Sequence, residues 1–311
     1  MSLKLFAAVP PFTQLNTPYP STAYIKGFLK TQNIVCDQAD WGLECILEIF
    51  SQKGLKDIFN CIAKKNIDLS DNAQRIIALQ NDYCKTIDYV IGFLQGKNPT
   101  LALHICSGDF LPQASRFEQI EDLEWAFGEM GLQDKAKHLA TLYLEDLSDL
   151  IIEVVDENFG FSRYAERLGR SANSFDELYA HLNTTPTYID AVLYKILSDT
   201  FQTSTPDLLL LSVPFPGNLY SAFRVAQWFK RNHPKVKIAL GGGFPNTELR
   251  SLKEKRVFDF FDFVTLDDGE APLVELIKAI ENNDYKTLKR TFLIENNQVV
   301  YKNNSVLPDF K

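Results

Sequence analysis

Hydrophobic and polar positions alternate between two rhythms along the chain. Residues 3–9 (LKLFAAV) form a short apolar run ended by Pro10 and Pro11, as expected of a buried parallel strand. Over residues 19–30 the apolar positions Tyr24, Ile25, Phe28 and Leu29 follow helical spacing. Residues 34–37 read as a second strand and 41–51 as a second helix, which makes a βαβα opening. Strand signals then nearly vanish from 52 to 202. Within 73–95, Ile76, Leu79, Tyr83, Ile87, Val90 and Leu94 make a helical stripe. Further helices are predicted at 118–130, 134–155, 175–182 and 187–201, with Asp71 and Ser174 as N-caps of the first and fourth of these five helices.

The α/β rhythm resumes at 207–213 (DLLLLSV), a buried strand followed by a helix over 219–231. Strands at 236–240 and 263–266 and a helix at 271–281 complete it. Residues 290–295 and 298–301 flank Asn296-Asn297 and predict a hairpin. Joined across the helical middle, the two ends predict a doubly wound, five-stranded parallel sheet of flavodoxin-like or Rossmann-like type, in the order 2-1-3-4-5. The α/β domain comprises 1–51 and 203–285, the all-helical insertion 52–202, and a C-terminal hairpin and linker 286–311. Such a sheet binds ligands at the switch between strands 1 and 3, where the loops at 10–20 and 214–218 open.

Composition removes several functions. The net charge is −8 with dispersed lysines and arginines, so no basic surface offers itself to nucleic acid. No apolar run approaches the roughly 20 residues that span a bilayer, and the first ten residues lack the pattern of a signal peptide. Five scattered cysteines without CxxC spacing read as reduced thiols of a cytoplasmic protein, not metal ligands.

The first loop, PPFTQLNTPYP, has no glycine, which argues against a dinucleotide site; GxxxxGK is absent as well. The third strand ends in Ser212-Val213, where a phospho-receiver would carry an aspartate. What remains is a crevice of prolines, aromatics and glycines: Phe12, Tyr19, Phe215 and Phe244 with Ser212 and Gly241-Gly242-Gly243. Such a surface suits a large flat ligand with few hydrogen-bonding groups. Three glycines let a strand end lie against a ligand, or make a tight turn. No Ser-His-Asp or Cys-His arrangement is present, so no catalytic residue is assigned. Asp267, Asp268 and Glu270 read as solvated acids, with Glu270 favoured to cap its helix over touching a ligand.

Five phrases carry a family resemblance: LFAAVPPFTQLNTPYPSTAYIKGFL, DLLLLSVPFPGNLYSAFRVAQWF, IALGGGFPN, LDDGEAPLVELI and the closing LPDF. Over 3–50 and 205–311 the chain resembles the cobalamin (B12)-binding region that precedes the catalytic domain of B12-dependent radical SAM enzymes. It is most similar to Fe–S oxidoreductases and anaerobic Mg-protoporphyrin IX monomethyl ester cyclase-like proteins. The resemblance implies that Ser212 and Gly241 to Gly243 line the channel for the cofactor's nucleotide tail. It implies further contacts from Pro11, Phe12, Thr13, Gln14, Val213, Pro214, Phe215, Phe244, Gly269 and Glu270.

The DxHxxG histidine of many cobalamin domains is missing, so cobalamin is expected base-off without a histidine ligand. His104, His138, His181 and His233 lie away from the crevice. CxxxCxxC is also missing, so the [4Fe–4S] cluster and SAM are expected only in a following domain, and this chain is read as a non-catalytic fragment. The implied function is a cobalamin-binding module serving methyl transfer or oxidative cyclisation on an unassigned substrate. The alternative is the same fold without cobalamin, serving substrate recognition or protein interaction.

Overall fold

A computed structural model describes residues 3–13, 19–122, 131–161, 165, 166, 168 and 175–304. The chain divides into two compact units, 1–44 with 161–311 and 45–160. No helix among the described residues is long and apolar enough to cross a membrane.

The first unit is an α/β layer structure on one sheet. Its strands are β1 (Leu5–Val9), β2 (Cys36–Asp40), β3 (Leu208–Ser212), β4 (Lys237–Gly241), β5 (Phe263–Thr265), β6 (Thr291–Glu295) and β7 (Gln298–Lys302). They stand in the order β2-β1-β3-β4-β5-β6-β7. The first five are parallel, in the order expected from the sequence. The last two correct the expectation of a five-stranded parallel sheet. The hairpin at the C-terminus is not a linker: β6 pairs antiparallel with β5, with Val264 opposite Phe292, and makes the sheet mixed.

All five residues of β3 are buried, so both its faces need a helical layer. One face carries Leu5, Ala7, Leu208, Leu210, Ala239 and Phe263. Against it pack Leu29 of α1 (Ser21–Thr31) and Leu273, Leu276 and Ile277 of the helix Glu270–Asn282. The other face presents Phe6, whose ring stacks on Trp41 at 5.8 Å and meets Phe201 edge-on at 5.1 Å. Phe201 in turn meets Phe229. Edge strand β2, CDQAD, is polar and mostly accessible, the composition that discourages a further strand from pairing.

The helical unit contains most of α2 (Trp41–Ile49), then α3 (Gln52–Ile62), α4 (Asp71–Ala78), α5 (Gln80–Leu94), α6 (Leu101–Cys106), a 3-10 segment (Ser115–Asp122) and α7 (Leu132–Leu150). The single helix expected at 73–95 is two, interrupted at Leu79. Ser70, not Asp71, is the N-cap of α4, its hydroxyl accepting from the Ala73 amide. At 118–130 the described part is 3-10 rather than α-helical, and 123–130 lies outside the described residues. Asp146 of α7 is fully buried and accepts the amides of Ala114 (2.9 Å) and Arg116 (3.0 Å), fixing the start of the 3-10 segment. Tyr83 donates to the same carboxylate at 3.4 Å.

The predicted insertion ended at 202, yet α8 (Asp176–Leu182) and α9 (Tyr188–Thr200) belong with the sheet unit. Ser174 lies outside the described residues. The reason for their attachment is a buried network onto α10 (Leu219–Asn232). Arg224 and Asp190, 0% and 1% exposed at their side chains, form an ion pair at 2.9 Å. Tyr220 donates to Asp190 (2.8 Å) and accepts from Arg224 (2.7 Å), while Arg224 also donates to the carbonyls of Leu182 and His181. Asp190 completes a capping box with Thr187 at the start of α9.

Two expectations follow. Asp190→Ala leaves the Arg224 guanidinium buried without its carboxylate and should lower stability by about 3–5 kcal/mol, read from the urea midpoint. Asp199→Ala, exposed on the same helix, should change it by less than about 0.5 kcal/mol; equal effects would remove the ion pair from this role. The second concerns Asp146, whose carboxyl burial holds above the usual carboxylate range, against the opposing pull of the Arg116 and Ala114 amides. A carboxyl raised in the folded chain binds its proton more tightly there. Its contribution is therefore present at low pH and falls as pH rises from the ordinary Asp value through the folded one. Asp146→Asn should flatten the stability–pH profile over that window, and an unchanged slope would show that Asp146 does not set it.

Candidate functional site

Alternation along parallel strands places Leu210 and Ser212 on one face of β3, Ala239 and Gly241 on the same face of β4, and Thr265 beside them on β5. Ser212 lies opposite Gly241, and Leu210 opposite Ala239. The strand ends therefore carry a polar row, Ser212, Gly241 and Thr265, one step beyond an apolar row, Leu210 and Ala239. Small side chains in both rows leave a cavity of about 170 Å³ between the sheet, α1 and α12 (Glu270–Asn282). The helices contribute Ser21, Tyr24, Ile25 and Phe28 from α1 and Leu273 from α12.

Ser212 is 5% exposed and lines the cavity. The Ser21 hydroxyl oxygen is buried in the same cavity without a partner. Buried hydroxyls ordinarily have partners, so an unpaired one lining a cavity marks it as a place for a ligand's polar atoms. At the rim, Tyr24 donates to the Glu270 carboxylate, and this bond joins α1 to α12. The same bond, followed by the charge of Glu270, raises the Tyr24 phenol above its ordinary value.

The glycine cluster has a reason within the chain itself. Gly242 has φ +107°, and a Cβ there would stand 2.6 Å from the Val213 carbonyl oxygen. A Cβ on Gly243 would stand 2.7 Å from the Pro214 carbonyl oxygen, and one on Gly241 2.8 Å from Thr265 Oγ1. The close approach that three glycines permit is thus to the loop after β3 and to β5. A short helix missed in the sequence, α11 (Gly243–Glu248), begins inside the cluster.

Of the residues assigned from the sequence, Ser212, Gly241, Gly242, Gly269 and Glu270 line the cavity. Glu270 is the first residue of α12, where its charge favours the helix, and its carboxylate faces Tyr24. Pro11, Phe12, Thr13, Val213, Pro214 and Phe244 are buried and outside its lining. The Phe12 amide donates to the Gly217 carbonyl (3.4 Å), and Asn218 Nδ2 donates to the Pro10 carbonyl (2.7 Å), tying the two loops together. Phe215 is 52% exposed and meets Tyr19, a lining residue, edge-on at 5.8 Å. Gln14 lies outside the described residues, as does the closing LPDF.

The sequence reading missed Ser21, Tyr24, Ile25, Phe28, Thr265 and Leu273. Four of them stand at i, i+3, i+4 and i+7 along α1, a stripe that reads as core until it is seen to face a gap. Asp267 pairs with Arg250 and Asp268 with Arg290 at 3.2 Å, so these acids are engaged rather than gathered around a cation. Among the described residues no His, Cys, Asp and Glu group could hold a metal ion.

Comparison with family models, with curated proteins and with solved structures gives no match.

The glycine geometry separates two substitutions. Gly242→Ala should cost about 2 kcal/mol or more, because it adds a forbidden backbone region to a clash with Val213. Gly269→Ala meets nothing within 4 Å and has a negative φ, so thermal unfolding should shift little. A tolerated Gly242→Ala would show that the turn can move.

Proposed function

We propose that the sheet unit is a cobalamin-binding module whose cavity between α1 and α12 takes the nucleotide tail of the cofactor. The observation that carries this reading is the buried, unpartnered hydroxyl of Ser21 in a cavity that Ser212, Gly241 and Gly242 also line. An engineered apolar cavity of roughly 150 Å³ admits benzene, so this one is of the size that an aromatic ring requires.

The chain's own residues then have distinct parts. Leu210, Ala239, Ile25 and Phe28 exclude water from the ring, and the serine hydroxyls hold its polar atoms. Glu270 and Tyr24 meet the chain that leads out over the rim, and exposed Phe215 with Tyr19 offers an apolar surface beside it. Bound cobalamin supplies methyl or electron transfer at cobalt. In the proposed full enzyme, a cytoplasmic protein, a radical SAM domain holding the [4Fe–4S] cluster and SAM uses that chemistry on its substrate.

A second reading rests on a different observation. The loops after β1 and β3 are hydrogen-bonded to each other, and Phe12 is 0% exposed, so little of that surface is open to a corrin. A unit of this fold without cobalamin would serve recognition of a substrate or protein.

Titration with hydroxocobalamin, followed by gel filtration and a visible spectrum of the protein peak, separates the two. The first reading expects co-elution with a base-off spectrum, and free elution of the cobalamin would overturn it for this chain. Ser212→Ala removes the hydroxyl without adding volume and should weaken binding roughly fivefold.

A further inference from the structure

The sheet ends in two edges of unlike character. At one end stands β2, whose Asp37 and Asp40 discourage a further strand. At the other stands β7, QVVYK, which has no proline and no acidic residue. Its one charge, Lys302, is turned back onto Glu295 of β6. The Leu266 amide donates to the Arg290 carbonyl, so even-numbered residues of β6 bond toward β5 and odd-numbered ones toward β7. Through the hairpin register, Gln298, Val300 and Lys302 bond back to β6, which turns the amides and carbonyls of Val299 and Tyr301 outward. Among the described residues nothing bonds to those outward groups. We infer that β7 is the contact between two copies of this chain, paired antiparallel about a two-fold axis through Val300.

The strand is complementary to itself in that register. Pairing about Val300 sets Val299 opposite Tyr301 of the second copy, and Gln298 opposite its Lys302. The outward groups then meet: each Val299–Tyr301 pair exchanges both of its backbone hydrogen bonds. On one face a β-branched side chain lies against an aromatic ring, a favourable cross-strand pair that extends the Phe292–Tyr301 ring contact at 4.7 Å. Tyr301, 43% exposed, is covered by it. On the other face Val300 meets its own copy. The charges fit as well. Antiparallel pairing holds the two Lys302 ammoniums at opposite ends of the contact, each beside an uncharged Gln298, where parallel pairing would set lysine against lysine. Such an isologous contact closes on itself, and the joined sheet has the polar β2 at both ends. Neither cobalamin nor the cavity between α1 and α12 enters this pairing.

Sedimentation of the whole chain over a dilution series should show a monomer–dimer equilibrium; a monomer throughout would overturn the contact. Val299→Pro removes an outward amide and no hairpin bond. It should weaken the dimer about tenfold or more and leave thermal unfolding of the dilute monomer nearly unchanged. A dimer that Val299→Pro leaves intact would overturn the contact too. Cysteine crosslinking reads the register without depending on how that variant folds. The two Val300 Cα atoms form a non-hydrogen-bonded pair, about 4.5 Å apart and within reach of a disulfide. The two Gln298 Cα atoms stand roughly 14 Å apart, out of reach. Oxidation by Cu(II)-phenanthroline should therefore link Val300→Cys into a covalent dimer and leave Gln298→Cys unlinked, against the unsubstituted chain with its five free cysteines as background. Equal linking of both variants, or of neither, would overturn the register and the contact with it.

Discussion

Every residue of β3 is buried, and a parallel strand with no solvent face demands a helical layer on each side. That demand organises the sheet unit. Leucines alternate down β3, so Leu208 and Leu210 look to α1 and α12 while Leu209 and Leu211 look to the layer of Trp41, Phe201 and Phe229. The layers are filled differently. The second is closed by large aromatic rings packed edge to face, each burying a large apolar area. The first is filled by aliphatic side chains along most of its length and by small ones at the strand ends.

The cavity follows from that difference. Where β3 and β4 end, the side chains facing α1 and α12 shrink to Ser212, Ala239 and nothing at Gly241. The glycines are fixed by the neighbouring loop, since Gly242 and Gly243 lie against the carbonyls of Val213 and Pro214. A tight turn and a binding cavity are thus one structural solution: the turn forbids side chains, and their absence leaves space on the face beside it. Close packing makes such a gap uncommon in a core, and one lined with the unpaired hydroxyl of Ser21 is harder to explain by packing alone.

Buried charge serves attachment elsewhere in the chain. Arg224, Asp190 and Tyr220 join the helices before β3 to the helix after it, and each polar atom that enters this interior needs a partner of fixed geometry. Asp146 does comparable work within the helical unit, ordering the turn at Ala114 to Arg116 through backbone amides. In both places a single carboxylate holds a neighbouring segment in position.

The sequence by itself determined the parallel core, because short continuous apolar runs between helical stripes are local properties of LKLFAAV, LLLLS and the segments that follow them. It determined the strand order and marked Ser212 and Gly241 to Gly243 as unusual. It could not decide that β6 joins β5, because a hairpin signal fixes the pairing within the hairpin and says nothing of the strand beside it. It could not assign α8 and α9 to the sheet unit, since Asp190 and Arg224 are 34 positions apart and neither declares its partner. Nor could it turn the α1 stripe of Ser21, Tyr24, Ile25 and Phe28 into a cavity wall. Helical periodicity reveals which face is turned inward; only the tertiary structure decides whether that face meets side chains or a space.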